Sequence, residues 1–233
     1  MTSDFISALL DADRPVIMEV KRQDPEGRDL LGRRTVAEIV AGYEAAGAPC
    51  ISVVTGRWFG GTDDTLREVA ALTDRPLLQK DFITKRGQLR TARELGASAV
   101  LLTAALLPRS TLGNLVDAAL ALGLTPFVEV TSGAEAEAIP RAGECVVAVN
   151  NKDIKQRERD VADVDRSVAL LPALARTGTA CPVSASGIDR PEVAARLLDE
   201  GFAGLLVGTG LLRAPGGARA WADELDTCRV PTP

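Results

Sequence analysis

The chain has 233 residues, a formal net charge of −5, 46% hydrophobic residues and no histidine. An acidic chain of this kind is not expected to bind nucleic acid or an anionic membrane surface, and no apolar run reaches the ~20 residues of a membrane span. The lack of histidine excludes Ser-His-Asp and Cys-His catalysis and histidine metal sites. Acid–base chemistry therefore falls to carboxylates, lysines and Tyr43, the single tyrosine.

The first 30 residues are acidic rather than basic, with Asp4, Asp11 and Asp13 where a signal peptide would carry its basic and apolar segments. The four cysteines show no CxxC spacing, which favours small buried thiols in a reducing compartment. We expect a cytoplasmic protein that is a monomer or weak homo-oligomer. We find no linker, so residues 1–233 are predicted to form one domain.

Short apolar runs alternate with helical patterns along the chain. A short helix within residues 1–14 comes first, and the predicted strands cover residues 15–20, 50–54, 76–80, 99–103, 125–130, 146–150, 181–184 and 204–207. Thr35 and Glu38 have capping-box spacing, and Gly47 ends the helix that they begin. Eight apolar strands with crossover helices predict a (β/α)₈ TIM barrel with one short helix before the first strand. An open doubly wound sheet is the alternative, but no GxGxxG follows the first strand.

Polar side chains stand where these predicted strands end, which is where a TIM barrel carries its chemistry. They are Glu19, Lys21, Lys80, Glu129 and Asn150. A lysine or glutamate at the end of a strand often only reaches solvent, and the alternative for Glu19 with Lys21 is an internal ion pair that organises the barrel floor. Because the barrel would bring all of these residues round one mouth, we interpret them as a candidate active site.

Two loops of small residues follow the seventh and eighth predicted strands. They are Ser184-Ala185-Ser186-Gly187-Ile188 and Gly208-Thr209-Gly210. In a TIM barrel these loops commonly cradle a phosphate with backbone N–H groups. The sequence therefore predicts a small phosphorylated substrate.

The motifs together resemble the indole-3-glycerol-phosphate synthase family of tryptophan biosynthesis, from about residue 5 to residue 215. The matching segments are Glu19-Val20-Lys21-Arg22, Lys80-Asp81-Phe82-Ile83, Val128-Glu129-Val130, Asn150-Asn151-Lys152-Asp153, the Ser184–Ile188 loop and residues 207–215. The resemblance implies a carboxy-lyase that closes the ring of 1-(2-carboxyphenylamino)-1-deoxyribulose 5-phosphate. Carbon dioxide and water are lost, and indole-3-glycerol phosphate is formed. No cofactor or metal is implied.

The resemblance also implies roles for four charged residues. Lys80 would be the general acid that activates the substrate carbonyl, and Glu129 the second acid–base group, which assists the loss of water. Lys21 would contact the substrate carboxylate, and Glu19 would position Lys21 and the substrate.

Further residues would bind the substrate without taking part in proton transfer. Asn150 would bind the intermediate, and Lys152 and Ser184 would contact the substrate. The phosphate would be held by Ser186, Gly187, Gly208 and Thr209.

The chain departs from the family pattern at four positions. Ala185 replaces a glutamate, Lys152 replaces an arginine, and Asp24 and Glu26 stand in the first loop where serines are usual. The two acidic residues are expected to repel a nearby phosphate. These changes favour two alternative hypotheses: a specialised paralogue that runs a related lyase or isomerase reaction on a modified aryl-amino sugar phosphate, and a non-catalytic phosphate-binding barrel.

Overall fold

Eight parallel strands close into a barrel in the computed structural model, which describes residues 3–152 and 161–229. Each strand pairs with its neighbours in sequence, and the last pairs with the first. The strands are β1 (Val16–Val20), β2 (Ile51–Val54), β3 (Leu77–Lys80), β4 (Ala99–Thr103), β5 (Thr125–Val130), β6 (Val146–Asn150), β7 (Cys181–Ala185) and β8 (Gly204–Val207). The predicted TIM barrel is thus confirmed.

Helices surround the barrel. Within the described part of the chain they are α1 (Asp4–Leu10), α2 (Val36–Ala45), α3 (Asp63–Ala70), α4 (Arg86–Glu94), α5 (Arg109–Ala121), α6 (Gly133–Glu137), α7 (Asp165–Thr177), α8 (Pro191–Asp199), α9 (Thr209–Arg213) and α10 (Gly217–Arg229). The predicted helix before the first strand is α1. The predicted capping box is present at α2, where Thr35 and Glu38 each accept a hydrogen bond from the other's backbone N–H. None of the helices described has the length and apolar character needed to cross a bilayer.

One described helix contains a proline in its interior. Proline removes a hydrogen bond from a helix interior and therefore usually ends the helix. In the structure, α7 continues through Pro172 to Thr177. Ala173 and Leu174 lie beyond the proline and are buried. Packing of this last part of the helix outweighs the local cost of the proline.

The core has two shells because successive side chains of a strand point to opposite faces. The outer shell packs between the strands and the helices. The inner shell fills the barrel below its mouth with apolar side chains, among them Ile17, Leu78, Phe127 and Val183. α1 closes this end, and Phe5 meets Phe127 edge to face with 6.5 Å between the ring centroids. The floor is therefore packed, and a site can open only at the other end.

Candidate active site

A cleft of about 280 Å³ opens at the carboxyl ends of the strands. Eight of the predicted site residues line it: Glu19, Lys21, Lys80, Lys152, Ser186, Gly187, Gly208 and Thr209. They come from five strand ends spread over 190 residues of sequence. The closed barrel brings them together, as the positions of the strand ends indicate.

Lys80 and Glu19 form an ion pair in the barrel mouth. Lys80 Nζ lies 3.2 Å from Glu19 Oε2, and the two side chains are only 11% and 4% exposed. The Ser52 hydroxyl donates a hydrogen bond of 3.4 Å to the same carboxylate oxygen. A Cβ atom at Gly208 would lie 2.5 Å from Glu19 Oε1, so a larger residue there would displace this carboxylate. Lys80 and Ser52 thus hold the Glu19 carboxylate, which in turn orients the Lys80 ammonium.

Glu129 and Asn150 form a second buried pair, on β5 and β6. Asn150 Nδ2 donates a hydrogen bond of 2.9 Å to Glu129 Oε1. Asn150 Oδ1 accepts one of 2.9 Å from the backbone N–H of Lys152. The amide of Asn150 therefore fixes the orientation of Glu129, which is a contribution of Asn150 that the sequence did not indicate.

A narrower, mainly apolar cavity adjoins the cleft. It is lined by Val54, Gly56, Phe59, Asp81, Phe82, Leu101 and Glu129, and Lys21 and Lys80 line both cavities. Lys21 Nζ lies 4.2 Å from the centroid of the Phe59 ring, which is cation–π distance. The Phe82 ring lies 4.8 Å from that of Trp58. Sequence reasoning missed these aromatic residues, although three of the chain's eight aromatic side chains follow β2 and β3.

The loop after β7 has an unusual backbone. Ser186 and Gly187 both have left-handed φ angles, of 71° and 73°. Such a conformation is strained for serine, and strained residues cluster at functional sites. A Cβ atom at Gly187 would also collide with the side chain of Ala162. This loop and the start of α9 after β8 give the cleft two neighbouring rims of small residues.

Ser184, by contrast, is not brought into the cleft. It is buried on the outer face of β7, where its hydroxyl accepts a hydrogen bond of 3.1 Å from Asn151 Nδ2. The Ser184 and Ser167 hydroxyl oxygens lie 2.7 Å apart. Asn151 Nδ2 also donates to the carbonyl oxygen of Ser186, at 3.0 Å. This network supports the strained loop from behind and gives Asn151 a structural role. Asp153, the last residue of the matching segment that begins at Asn150, lies outside the described residues.

Two further residues, Ala185 and Tyr43, have structural surroundings. Ala185 points into the barrel and is fully enclosed in the inner apolar shell. Tyr43 donates a hydrogen bond of 2.7 Å to the backbone carbonyl of Glu19. Burial, and then the charge of Glu19, raise the pKa of the Tyr43 hydroxyl. Tyr43 is therefore a structural residue rather than an acid or base.

Over residues 3–152 and 161–229, no group of three or more His, Cys, Asp or Glu side chains is arranged to hold a metal ion.

Comparison with known proteins places this architecture in a family. The family model for indole-3-glycerol phosphate synthase matches residues 2–222. Indole-3-glycerol phosphate synthase 1 of Streptomyces coelicolor is 38% identical over 210 residues, covering 90% of this chain and 76% of its own length. The synthase of a Nocardioides species is 37% identical, with 91% and 85% covered.

Among solved structures, the tryptophan synthase A-subunit of Pyrococcus furiosus superposes with a TM-score of 0.64. It is 14% identical, with 91% of this chain and 96% of that chain covered, so this likeness concerns the fold alone. The match of the family model over nearly the whole chain and the identity to its relatives lead to one conclusion: the chain belongs to the indole-3-glycerol phosphate synthase family.

Proposed function

We propose that the protein catalyses the indole-3-glycerol phosphate synthase reaction, the ring-closing decarboxylation of 1-(2-carboxyphenylamino)-1-deoxyribulose 5-phosphate. The observation that carries this proposal is the position of Lys80. Its ammonium is paired with Glu19 at the boundary between the narrower apolar cavity, which Phe59 and Phe82 line, and the cleft rimmed by small residues. A substrate with an aryl end and a phosphate end would span both cavities and present its carbonyl near Lys80.

Lys80 and Glu129 would divide the proton transfers. As the aryl carbon that carries the carboxylate bonds to the carbonyl carbon, Lys80 gives the carbonyl oxygen a proton, so that an alcohol rather than an alkoxide forms. Carbon dioxide then leaves, and the electrons of the broken C–CO₂ bond restore the aromaticity of the benzene ring. The alcohol then departs as water while the adjacent carbon loses its proton, and Glu129 is the group proposed to assist. Its hydrogen bond with Asn150 would hold it for this step.

Binding would fall to the remaining residues. Lys21 lies over the Phe59 ring and lines the narrower apolar cavity, a suitable position for contact with the substrate carboxylate. Lys152 and Asn150 would bind the sugar portion, and Ser186, Gly187, Gly208 and Thr209 the phosphate. For Ser184 we propose an indirect role, through Asn151, in holding the phosphate loop. Since all four cysteines are free thiols, we also propose that the protein works in the reducing cytoplasm.

The experiment is to supply the carboxyphenylamino-deoxyribulose phosphate to the purified protein and follow indole fluorescence. We expect turnover in wild type. Lack of product at high concentrations of folded enzyme would rule the proposal out and favour a phosphate-binding barrel without this activity.

Ala185 is the observation that favours the second candidate function, a related lyase or isomerase reaction. A fully enclosed alanine stands where the family resemblance expects a carboxylate. Ala185→Glu would introduce that carboxylate, and Ala185→Gln matches its size without the charge. If wild type proves inactive and Ala185→Glu alone produces indole-3-glycerol phosphate, the protein is a paralogue with a different reaction. If both variants only lower the activity of wild type, the family reaction needs no carboxylate here.

A further inference from the structure

A buried carboxylate lies in the loop that follows β1. Asp24 is 1% exposed and lines the cleft. Its Oδ1 accepts hydrogen bonds from the backbone N–H groups of Glu26 and Arg28, at 3.0 and 2.9 Å. Its Oδ2 accepts hydrogen bonds from Arg28 Nε and Arg213 Nη2, both at 2.6 Å. Four donors, two of them guanidinium groups, therefore hold one side chain.

These contacts neutralise Asp24 locally. Burial alone would raise the pKa of its carboxyl group, but the backbone N–H of Arg28 and the guanidinium groups of Arg28 and Arg213 lower that pKa to about 2. Asp24 is thus an anion at neutral pH whose charge is matched by two cations. The expectation that it repels a phosphate treats its charge as isolated, and the structure shows that it is paired.

The contacts also join two parts of the site. Arg213 is the last residue of α9, whose first turn forms one rim of the cleft. Asp24 follows Lys21 on the loop after β1. A second arginine joins the same segments, because Arg34 Nη2 donates a hydrogen bond of 2.7 Å to the carbonyl oxygen of Leu212. Two arginine contacts therefore hold the loop and α9 together.

We propose that Arg213 is an additional phosphate-binding residue and that Asp24 is its positioning residue. This inference rests on the phosphate site of the proposed function. Arg213 lines the cleft, its side chain is 49% exposed, and only Nη2 contacts Asp24. A guanidinium carries five N–H donors in a rigid fork, so others remain for phosphate oxygens. Asp24 fixes the direction of that fork, and Arg28 fixes Asp24.

The direction in which Asp24→Asn changes the phosphate affinity distinguishes a positioning role from simple charge repulsion. If Asp24 acted on the phosphate only through its charge, Asp24→Asn would strengthen phosphate binding. If Asp24 holds Arg213, the same substitution would weaken it, because the guanidinium would lose its charge-assisted partner and be free to rotate into solvent.

The test uses the full chain and inorganic phosphate as the probe, with the dissociation constant measured by titration calorimetry. Both Asp24→Asn and Arg213→Met are expected to weaken binding about five- to tenfold. The double variant should be no weaker than Arg213→Met, since the two residues act as one unit. With the phosphorylated substrate, KM should rise by the same factor while kcat stays within about twofold.

Glu26→Gln is the matched control. Glu26 lies in the same loop, but its carboxylate is half exposed, and its salt-bridge partner among the described residues is Arg28. We expect the phosphate affinity of the Glu26→Gln variant to remain within about twofold of wild type. Equal tightening of binding in Asp24→Asn and Glu26→Gln would overturn the proposal, as would unchanged affinity in Asp24→Asn and Arg213→Met. Should Asp24→Asn fold poorly, Arg213→Met tests the same contact from its exposed side.

The phosphate titration is independent of turnover. A wild-type protein that forms no indole-3-glycerol phosphate but shows the predicted pattern of phosphate affinities would refute the proposed reaction and leave this inference standing. A wild-type protein that forms indole-3-glycerol phosphate while Arg213→Met and Asp24→Asn leave KM and phosphate affinity unchanged would refute this inference alone.

Discussion

The two ends of the barrel interior are built from the same strands yet differ in polarity and charge. The floor is apolar and sealed by α1, whereas the mouth holds buried charges that are paired across strands. The change takes place within two residues of a strand, as from Ile17 to Glu19, from Leu78 to Lys80 and from Phe127 to Glu129. Stability and chemistry are thus separated by one layer of side chains.

The reason for the difference is the cost of burial. An apolar side chain is stabilised wherever it is enclosed, but a buried charge must have partners. At the mouth Glu19 has Lys80 and Ser52, and Glu129 has Asn150. Substitutions at the mouth should therefore change turnover first, and substitutions in the floor should change stability first.

The largest effect is expected at Lys80. Lys80→Met keeps a side chain of similar length but removes the ammonium, so we expect turnover to fall about 10³-fold, which is the range of a lost general acid. The measurement is indole fluorescence under saturating substrate, with circular dichroism to confirm folding. Activity within about tenfold of wild type would show that another group is the acid.

The matching change in the floor is Phe5→Ala. Phe5 is fully buried against Phe127, and its truncation should lower the free energy of unfolding by about 3–5 kcal/mol. The kcat and KM of the folded enzyme should stay within about twofold, because the mouth is not touched. Urea unfolding and assays well below the transition test this. A loss of kcat as large as that of Lys80→Met would contradict the separation of the two ends.

A matched pair of threonines compares the two ends directly. Thr125, at the floor end of β5, donates a hydrogen bond of 2.7 Å to Ser3 Oγ. Thr103, beside Glu129 at the mouth, has a buried hydroxyl that meets no hydrogen-bond partner among the described residues. Thr125→Val should therefore destabilise the protein by about 1 kcal/mol, whereas Thr103→Val should be neutral or slightly stabilising. Equal losses in urea unfolding would refute this distinction.

The last prediction concerns pH and the carboxylate of Asp24. Its pKa is lowered from 3.8 to about 2 in the folded protein, so its stabilising contribution is complete above about pH 4 and is lost as the pH falls toward 2. The difference in unfolding free energy between wild type and Asp24→Asn should be constant from pH 5 to 7 and shrink below pH 4. A difference that grows on acidification would contradict this sign.

Much of the site followed from sequence because the strand ends are visible there. Eight short apolar runs that alternate with helical patterns predict the barrel, and the barrel predicts that Glu19, Lys80 and Glu129 share one mouth. The direction of Ser184 was not visible, because its strand combines small and apolar residues and shows no clear alternation. Both faces of that strand are buried, so the pattern does not tell inward from outward positions.

The sequence by itself determined the fold, the family and the polar residues at the strand ends, since each depends on local pattern and order along the chain. Only the tertiary structure decided which charges neutralise one another. Asp24 appears in the sequence as an acidic residue near a phosphate site, and its partner Arg213 lies 189 residues away. Electrostatic energy depends on distance in space, which closure of the barrel sets and a linear pattern does not contain.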